Sequence, residues 1–208
     1  MIKKLIPIFL LIWACDGEKG SESLPIYGNT VYNEADTIYH KIEDFVLLDQ
    51  DSTIITNASM SDKVYVADFF FTSCPTICPK MKAQMLRVYE RFEGNEEVGI
   101  LSHTIDPGYD TIPLLNDYAA RLGVSSKQWK FLWGYQDEIY DLAEGSYMSI
   151  ADEDSNAPGG YVHSGAFLLV DKERRIRGIY DGTVADQVDI LMSDIDKLLK
   201  EYETDSDS

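Results

Sequence analysis

Cysteine and histidine are scarce in this 208-residue chain, with three of each. A four-cysteine structural zinc site is therefore excluded. Basic charge is short too: 18 Lys and Arg stand against 36 Asp and Glu, a net charge of −18. That balance argues against nucleic acid as a partner, because phosphates require a basic face. An acidic surface serves solubility first, and a basic patch on a partner second. Long apolar runs are missing. Leu5 to Trp13 is too short to span a bilayer as a helix, and no later run is long enough. Internal repeats are missing as well. What is present is an ordinary apolar content of 45%, enough for one core in one domain.

The N-terminus, "MIKKLIPIFLLIWACDGEKGSES", has a basic start at Lys3 and Lys4, then the short apolar stretch, then Ala14-Cys15. A small residue before cysteine resembles a bacterial lipoprotein cleavage site. Residues 1–14 are then a signal peptide, and Cys15 becomes the lipid-carrying first residue. An ordinary signal peptide or a short anchor is the alternative. The lipid reading also resolves an odd cysteine count in an exported protein, since it leaves Cys74 and Cys78 as a pair. The body is expected in the cell envelope, facing outside the cytoplasm (the periplasm) and tethered to the membrane by acyl chains.

Residues 15–40 read as the lipidated N-terminus and a tether, 41–203 as the domain, and 204–208 as a disordered acidic tail. Within the domain, "KIEDFVLLDQDSTIIT" predicts two short strands around the turn Asp49 to Ser52. The runs "KVYVADFFFTS" (63–73) and "EVGILSHTID" (97–106) are nearly continuously apolar, as strands buried on both faces are. Between them, residues 79–95 carry Met81, Met85, Tyr89 and Phe92 on one helical face, with Gly94 as a stop. Strand, helix, strand is a parallel crossover unit. Helices over 111–123 and 135–146 follow, with a strand in "WKFLWG" between them. A hairpin over 165–182 turns at Lys172 to Arg175. A last helix over 183–203 has the stripe Val184, Val188, Leu191, Ile195, Leu198 and Tyr202, and Thr183 with Asp186 forms a capping-box pattern. This order fits an α/β thioredoxin-like fold, a central mixed sheet flanked by helices.

The chemistry gathers in "FFFTSCPTICPKM" (69–81). Two cysteines four residues apart can be a structural disulfide, a redox couple or a metal clamp. Pro79 is suited to a helix start, which puts Cys78 at the cap and Cys74 in the loop before it. The positive helix end and its free N–H groups favour thiolates. The C-x3-C spacing is one residue wider than in most thiol oxidoreductases and suits a clamp. Of the histidines, His40 has no evident role and His103 reads as a core residue of its strand. His163 ends the polar loop 144–164 just before the strand "GAFLLVD" and is the candidate third ligand. Two thiolates and an imidazole suit copper, Cu(I) or Cu(II), with zinc as the alternative metal.

These motifs resemble the Sco/SenC family, copper chaperones for the assembly of cytochrome c oxidase. The resemblance is carried by "FFFTSCPTICPKM" with both prolines, by "TIDPGYDTIPLLNDYAARLG" (104–123), by "WKFLWG", and by "VHSGAFLLVDKERRIRGIYDG". It covers roughly residues 42–200 and implies that Cys74, Cys78 and His163 are copper ligands. Three departures stand out. Val162 occupies a position where many members have an Asp. Gly108 and Tyr109 occupy a turn where many carry a basic residue. A lipid on Cys15 would replace the transmembrane helix of many members.

The function implied is a metallochaperone, not an enzyme, that delivers copper to the binuclear copper site of a cytochrome c oxidase subunit. The alternative is a thiol–disulfide oxidoreductase that uses the Cys74/Cys78 couple on the cysteines of that subunit. A redox sensor would leave His163 without a purpose. When oxidised, Cys74 and Cys78 would form a disulfide that excludes metal. The loop 145–162 is expected to be mobile without metal.

Overall fold

The computed structural model describes residues 23–32, 36–154, 157 and 159–206. The expected signal peptide over 1–14 and the expected lipid-bearing Cys15 lie outside the described residues. The chain opens with two short strands, β1 (Val31–Tyr32) and β2 (Thr37–Ile38), then β3 (Val46–Leu48) and β4 (Ile54–Thr56). The turn between β3 and β4 is closed by the Asp49 carboxylate, which accepts the N–H groups of Asp51 and Thr53. Next come β5 (Val64–Phe70), α1 (Cys78–Phe92), β6 (Val98–Thr104), α2 (Ile112–Leu122), β7 (Trp129–Leu132) and α3 (Gln136–Asp141). The chain closes with β8 (Ala151–Glu153), β9 (Tyr161–His163), β10 (Ala166–Val170), β11 (Ile176–Asp181) and α4 (Ala185–Ser206).

The central sheet has the order β11-β10-β5-β6-β7. β5 pairs in parallel with β6, and β6 with β7, while β10 runs antiparallel to both β5 and β11. All seven residues of β5 and of β6 are buried. A strand covered on both faces loses the polar alternation of a half-buried one, which is why both read as continuous apolar runs. On α1 the buried face is Met81, Met85, Val88, Tyr89 and Phe92. On α4, Val188, Leu191, Ile195 and Leu198 have no exposed surface.

Four details depart from the expected layout. Val184 is exposed, because α4 begins only at Ala185 and Val184 sits in the preceding turn. The Thr183 N–H and hydroxyl both bond Asp181, so this side chain closes the β11 turn instead of pairing with Asp186. The helix over 135–146 ends early: α3 passes at Leu142 into a π-helical turn to Ser146, closed by the Tyr147 N–H on the Leu142 carbonyl at 3.0 Å. That wider turn buries Tyr147, whose hydroxyl meets that of Tyr65 at 3.1 Å. Finally, α4 continues through Ser206, into the segment expected to lack structure.

Residues 23–27, expected to be free tether, lie against the domain. Arg177, almost wholly buried, donates to the carbonyls of Leu24 (2.7 Å) and Pro25 (3.1 Å) and to Asp171 and Glu201. The Leu24 N–H donates to Glu201 at 2.8 Å, and the Tyr27 N–H to the Ile176 carbonyl at 2.9 Å. A buried guanidinium has five donors to satisfy, and this strap supplies three acceptors, the Leu24 and Pro25 carbonyls and the Ser23 hydroxyl at 3.2 Å. His40 also has a structural place, its Nε2 lying 2.6 Å from the Ser146 carbonyl. No helix among the described residues is long and apolar enough to cross a membrane.

Candidate metal centre

The site sits beyond the carboxyl end of β5, where open α/β sheets place their chemistry. Leaving β5, the chain turns at Phe71, whose carbonyl accepts the Cys74 N–H at 3.3 Å. Cys74 thus lies in the loop, and Cys78 is the first residue of α1, with Pro79 directly after it. Ile77, not Cys78, is the cap residue.

His163 arrives on the antiparallel hairpin β8–β9, where it pairs with Ala151. The stretch expected to be mobile is therefore in part a β-ribbon, and residues 155, 156 and 158 lie outside the described residues. One ligand atom each from Cys74, Cys78 and His163 fall within 4.8 Å of one another. All three residues are buried, and both thiols are free. His163 Nε2 is 3.2 Å from Cys78 Sγ, and Nδ1 is 3.1 Å from the Ser164 carbonyl. A carbonyl only accepts, so Nδ1 carries the proton and the Nε2 lone pair faces the sulfurs. In metal sites a ligating imidazole is oriented by a carboxylate or carbonyl on its other nitrogen. Here the Ser164 carbonyl stands in that place.

The two thiols are electrostatically unequal. Burial alone would raise Cys74, but the Cys78 thiol, the Thr76 and Cys78 N–H groups and the Thr76 hydroxyl point at its sulfur and hold it below the usual thiol value. Cys78 is pushed far up by burial, by sharing its hydrogen with Cys74 and by the negative charge of Cys74 and Asp68. Burial also lowers His163, against the opposing bond to Ser164, and so keeps the imidazole neutral. A neutral imidazole and two thiols that release their protons to a cation, Cys74 more readily than Cys78, make a donor set that fits a soft metal ion.

Residues not singled out from the sequence brace the site. Asp110, wholly buried, accepts the Thr72 N–H at 3.0 Å, the Thr72 hydroxyl, and the Thr104 hydroxyl at 2.6 Å. It thereby ties the cysteine loop to the Asp-Pro turn. Tyr161 donates to Asp106 at 2.9 Å and packs on Phe71 at 5.2 Å, while His163 meets the same ring edge-on at 5.8 Å. Gly159, at φ +87°, passes so close that a Cβ would meet Phe71 at 2.9 Å. The "TS" before Cys74 and the "YDT" after Asp-Pro were the available signals for this brace. His103 lies elsewhere, wholly buried and stacked on Phe69 at 4.9 Å.

The SCO1/SenC family model matches residues 33–200. The chain belongs to the SCO1/SenC family. The SCO1 protein homolog of Bacillus subtilis (strain 168) is 30% identical over 190 residues, which cover 90% of this chain and 91% of that relative. Among solved structures, a SCO1/SenC family lipoprotein from Bacillus anthracis str. Ames is 26% identical with a TM-score of 0.70, over 77% of this chain and 95% of that one. BsSco, a Sco-family cytochrome c oxidase assembly protein with an identified disulfide switch, is 31% identical with a TM-score of 0.68, over 76% and 93%. The fold also extends to Bradyrhizobium japonicum ScoI, solved with copper bound, at 21% identity and a TM-score of 0.63 over 75% and 98%. The thioredoxin-like mixed sheet of the Sco proteins is therefore the fold of this chain.

Proposed function

We propose that this protein binds one copper ion through Cys74, Cys78 and His163 and passes it to the binuclear copper site of a cytochrome c oxidase subunit. It does so outside the cytoplasm, held to the membrane by a lipid on Cys15. The observation that carries the reading is the convergence of two buried sulfurs and a free imidazole Nε2 within 4.8 Å. Membership of a family whose member BsSco is described as a cytochrome c oxidase assembly protein supports the destination, and the lipoprotein from Bacillus anthracis supports the anchor. Copper is cargo here. The chain supplies soft donors, an oriented ring and buried surroundings, and transfer proceeds by exchange of thiolate ligands, with no turnover chemistry. Zinc accepts the same donors and is the competing metal.

A second reading, thiol–disulfide oxidoreductase, is favoured by the unequal thiols. The more acidic Cys74 suits attack on a disulfide, and Cys78 suits resolution. Titrating the reduced protein with copper, followed by absorption and electron paramagnetic resonance, tests the first reading. One copper per chain with sulfur ligation is expected. Wild-type copper affinity and oxidase loading in His163→Ala, with full dithiol reductase activity, would promote the second.

A further inference from the structure

The elements that carry the three candidate ligands come from distant parts of the chain, and both are tied to one turn. Thr72 lies two residues before Cys74, and Tyr161 two before His163. The Thr72 N–H and hydroxyl are held by the Asp110 carboxylate, and the Tyr161 hydroxyl by the Asp106 carboxylate at 2.9 Å. Asp106 and Asp110 are the two ends of the same turn. The Asp110 N–H bonds the Asp106 carbonyl at 2.8 Å. The Thr104 hydroxyl joins them a second time, donating to Asp110 at 2.6 Å and accepting the Asp106 N–H at 3.1 Å. The turn is also fixed to the rest of the domain. Trp133 donates to the Pro107 carbonyl and Tyr140 to the Ile105 carbonyl, each at 3.0 Å. Its apex is open: Gly108 is exposed, and Tyr109 is 59% exposed.

We propose that the turn 106–110 is the brace that sets the bite of the metal centre. Asp110 is the positioning residue of the cysteine arm, and Asp106 that of the histidine arm. Each acts through the arm it holds and not on the metal. Cys74 lies in a loop, and a two-stranded hairpin such as β8–β9 is marginal on its own in water. A metal that had to gather both arms would lose part of its binding free energy to ordering them. A brace formed before the metal arrives removes that cost. The brace also carries the state of the site to the surface, because coupling between two places is reciprocal. If loosening the turn weakens the metal by some factor, the metal firms the turn by the same factor. Copper loading is thereby displayed at Gly108 and Tyr109, where an acceptor meets a firmer turn on a loaded protein than on an empty one.

This inference rests on the reading of Cys74, Cys78 and His163 as copper ligands, and the two arms give it distinct signatures. Reduced full-length protein is titrated with Cu(I) against a chromophoric chelator, and with Cu(II) followed by electron paramagnetic resonance. Asp110→Ala frees the cysteine arm, and thiolates serve both oxidation states, so both affinities should fall together by roughly tenfold. Asp110→Asn should rescue binding: its oxygen accepts the Thr72 N–H and the Thr104 hydroxyl, and its amide donates to the Thr72 hydroxyl. Tyr161→Phe frees the histidine arm and should weaken Cu(II) more than Cu(I), with an altered copper hyperfine splitting. Because Asp110→Ala opens a buried site, Thr72→Val is a second variant that removes one hydroxyl bond and keeps the Thr72 N–H in place. It should show a smaller loss with the same parallel pattern. Amide exchange at Tyr109 and Asp110 should slow when Cu(I) is added to the wild type. Wild-type affinities in Asp110→Ala or Thr72→Val, or copper-independent exchange at Tyr109 and Asp110, overturn the brace. Equal losses in Asp110→Asn and Asp110→Ala assign the effect to charge and overturn it too. A wild type that binds no copper overturns the ligand reading instead, so the two failures are told apart.

Discussion

At the scale of single residues, two buried ionisable groups pull against each other. Asp68, on β5 opposite Ser102 of β6 and bonded by the Ser102 hydroxyl, is pushed up to about 7 by burial, which that bond only partly opposes. His103, one residue on from Ser102, is pushed down to about 4 by burial. Between pH 4 and 6.5 the folded Asp68 holds a proton that the unfolded chain has released, so its effect on stability declines as pH rises. Over the same window the unfolded His103 holds a proton that the folded state rejects, so its effect climbs. Each slope is about 1.4 kcal/mol per pH unit, and the two nearly cancel. Urea unfolding of the wild type should therefore show little pH dependence from this pair. Asp68→Asn removes the declining part, and its stability should climb with pH through that window. The site residues respond differently to substitution. Cys74→Ser or Cys78→Ser removes one of two thiolates and should abolish tight copper binding in a competition titration. His163→Ala should be graded: two thiolates still hold Cu(I) nearly linearly, whereas Cu(II) loses its nitrogen donor and should weaken more.

Among the elements, the β8–β9 hairpin holds the third ligand in place. Gly159→Ala puts a methyl group against Phe71 at a backbone angle of φ +87°, which costs about 1–2 kcal/mol even without the clash. Tyr161→Phe removes the bond to Asp106. Both variants should speed amide exchange over 161–163 and weaken Cu(II) more than Cu(I), with global stability changed less. Exchange at 161–163 unchanged from the wild type would mean that the hairpin does not depend on these contacts. This element was also the least legible in the sequence. β5 and β6 announce themselves because burial on both faces leaves an unbroken apolar run. β8 and β9 are three residues each, Ala-Asp-Glu and Tyr-Val-His, too short to show a period, and their pairing joins Ala151 to His163 across a turn with no apolar rhythm. The cysteine pair and its helix were readable because Pro79 marks the start of α1. The Ser164 carbonyl was not, since backbone acceptors carry no side-chain signature. The strap stayed hidden for another reason: the groups that hold it lie far along the chain, 153 residues from Leu24 to Arg177 and 177 from Leu24 to Glu201.

For the molecule as a whole, copper should act as a stabiliser. A ligand that binds only the folded state at one hundred times its dissociation constant adds about 2.7 kcal/mol. The melting temperature of the reduced protein should rise with free copper. Protein oxidised across Cys74 and Cys78 should show no rise. Arg177→Met leaves the wholly buried Asp171 with one fewer cationic partner and should cost about 3 kcal/mol or more in chemical unfolding.

The clamp at Arg177 also has a consequence for the order of assembly. The strap lies near the start of the chain, and its partners lie near the end: Leu24 to Arg177 spans 153 residues and Leu24 to Glu201 spans 177. Such distant contacts are among the last a chain can close. A chain leaving the ribosome or the membrane exposes residues 23–27 first, and they wait undocked until Glu201 has emerged. In a nascent or truncated chain residues 23–27 therefore stay undocked, and only the completed domain takes them up. Docking of residues 23–27 marks the end of folding, and protease sensitivity over them would follow that event in time.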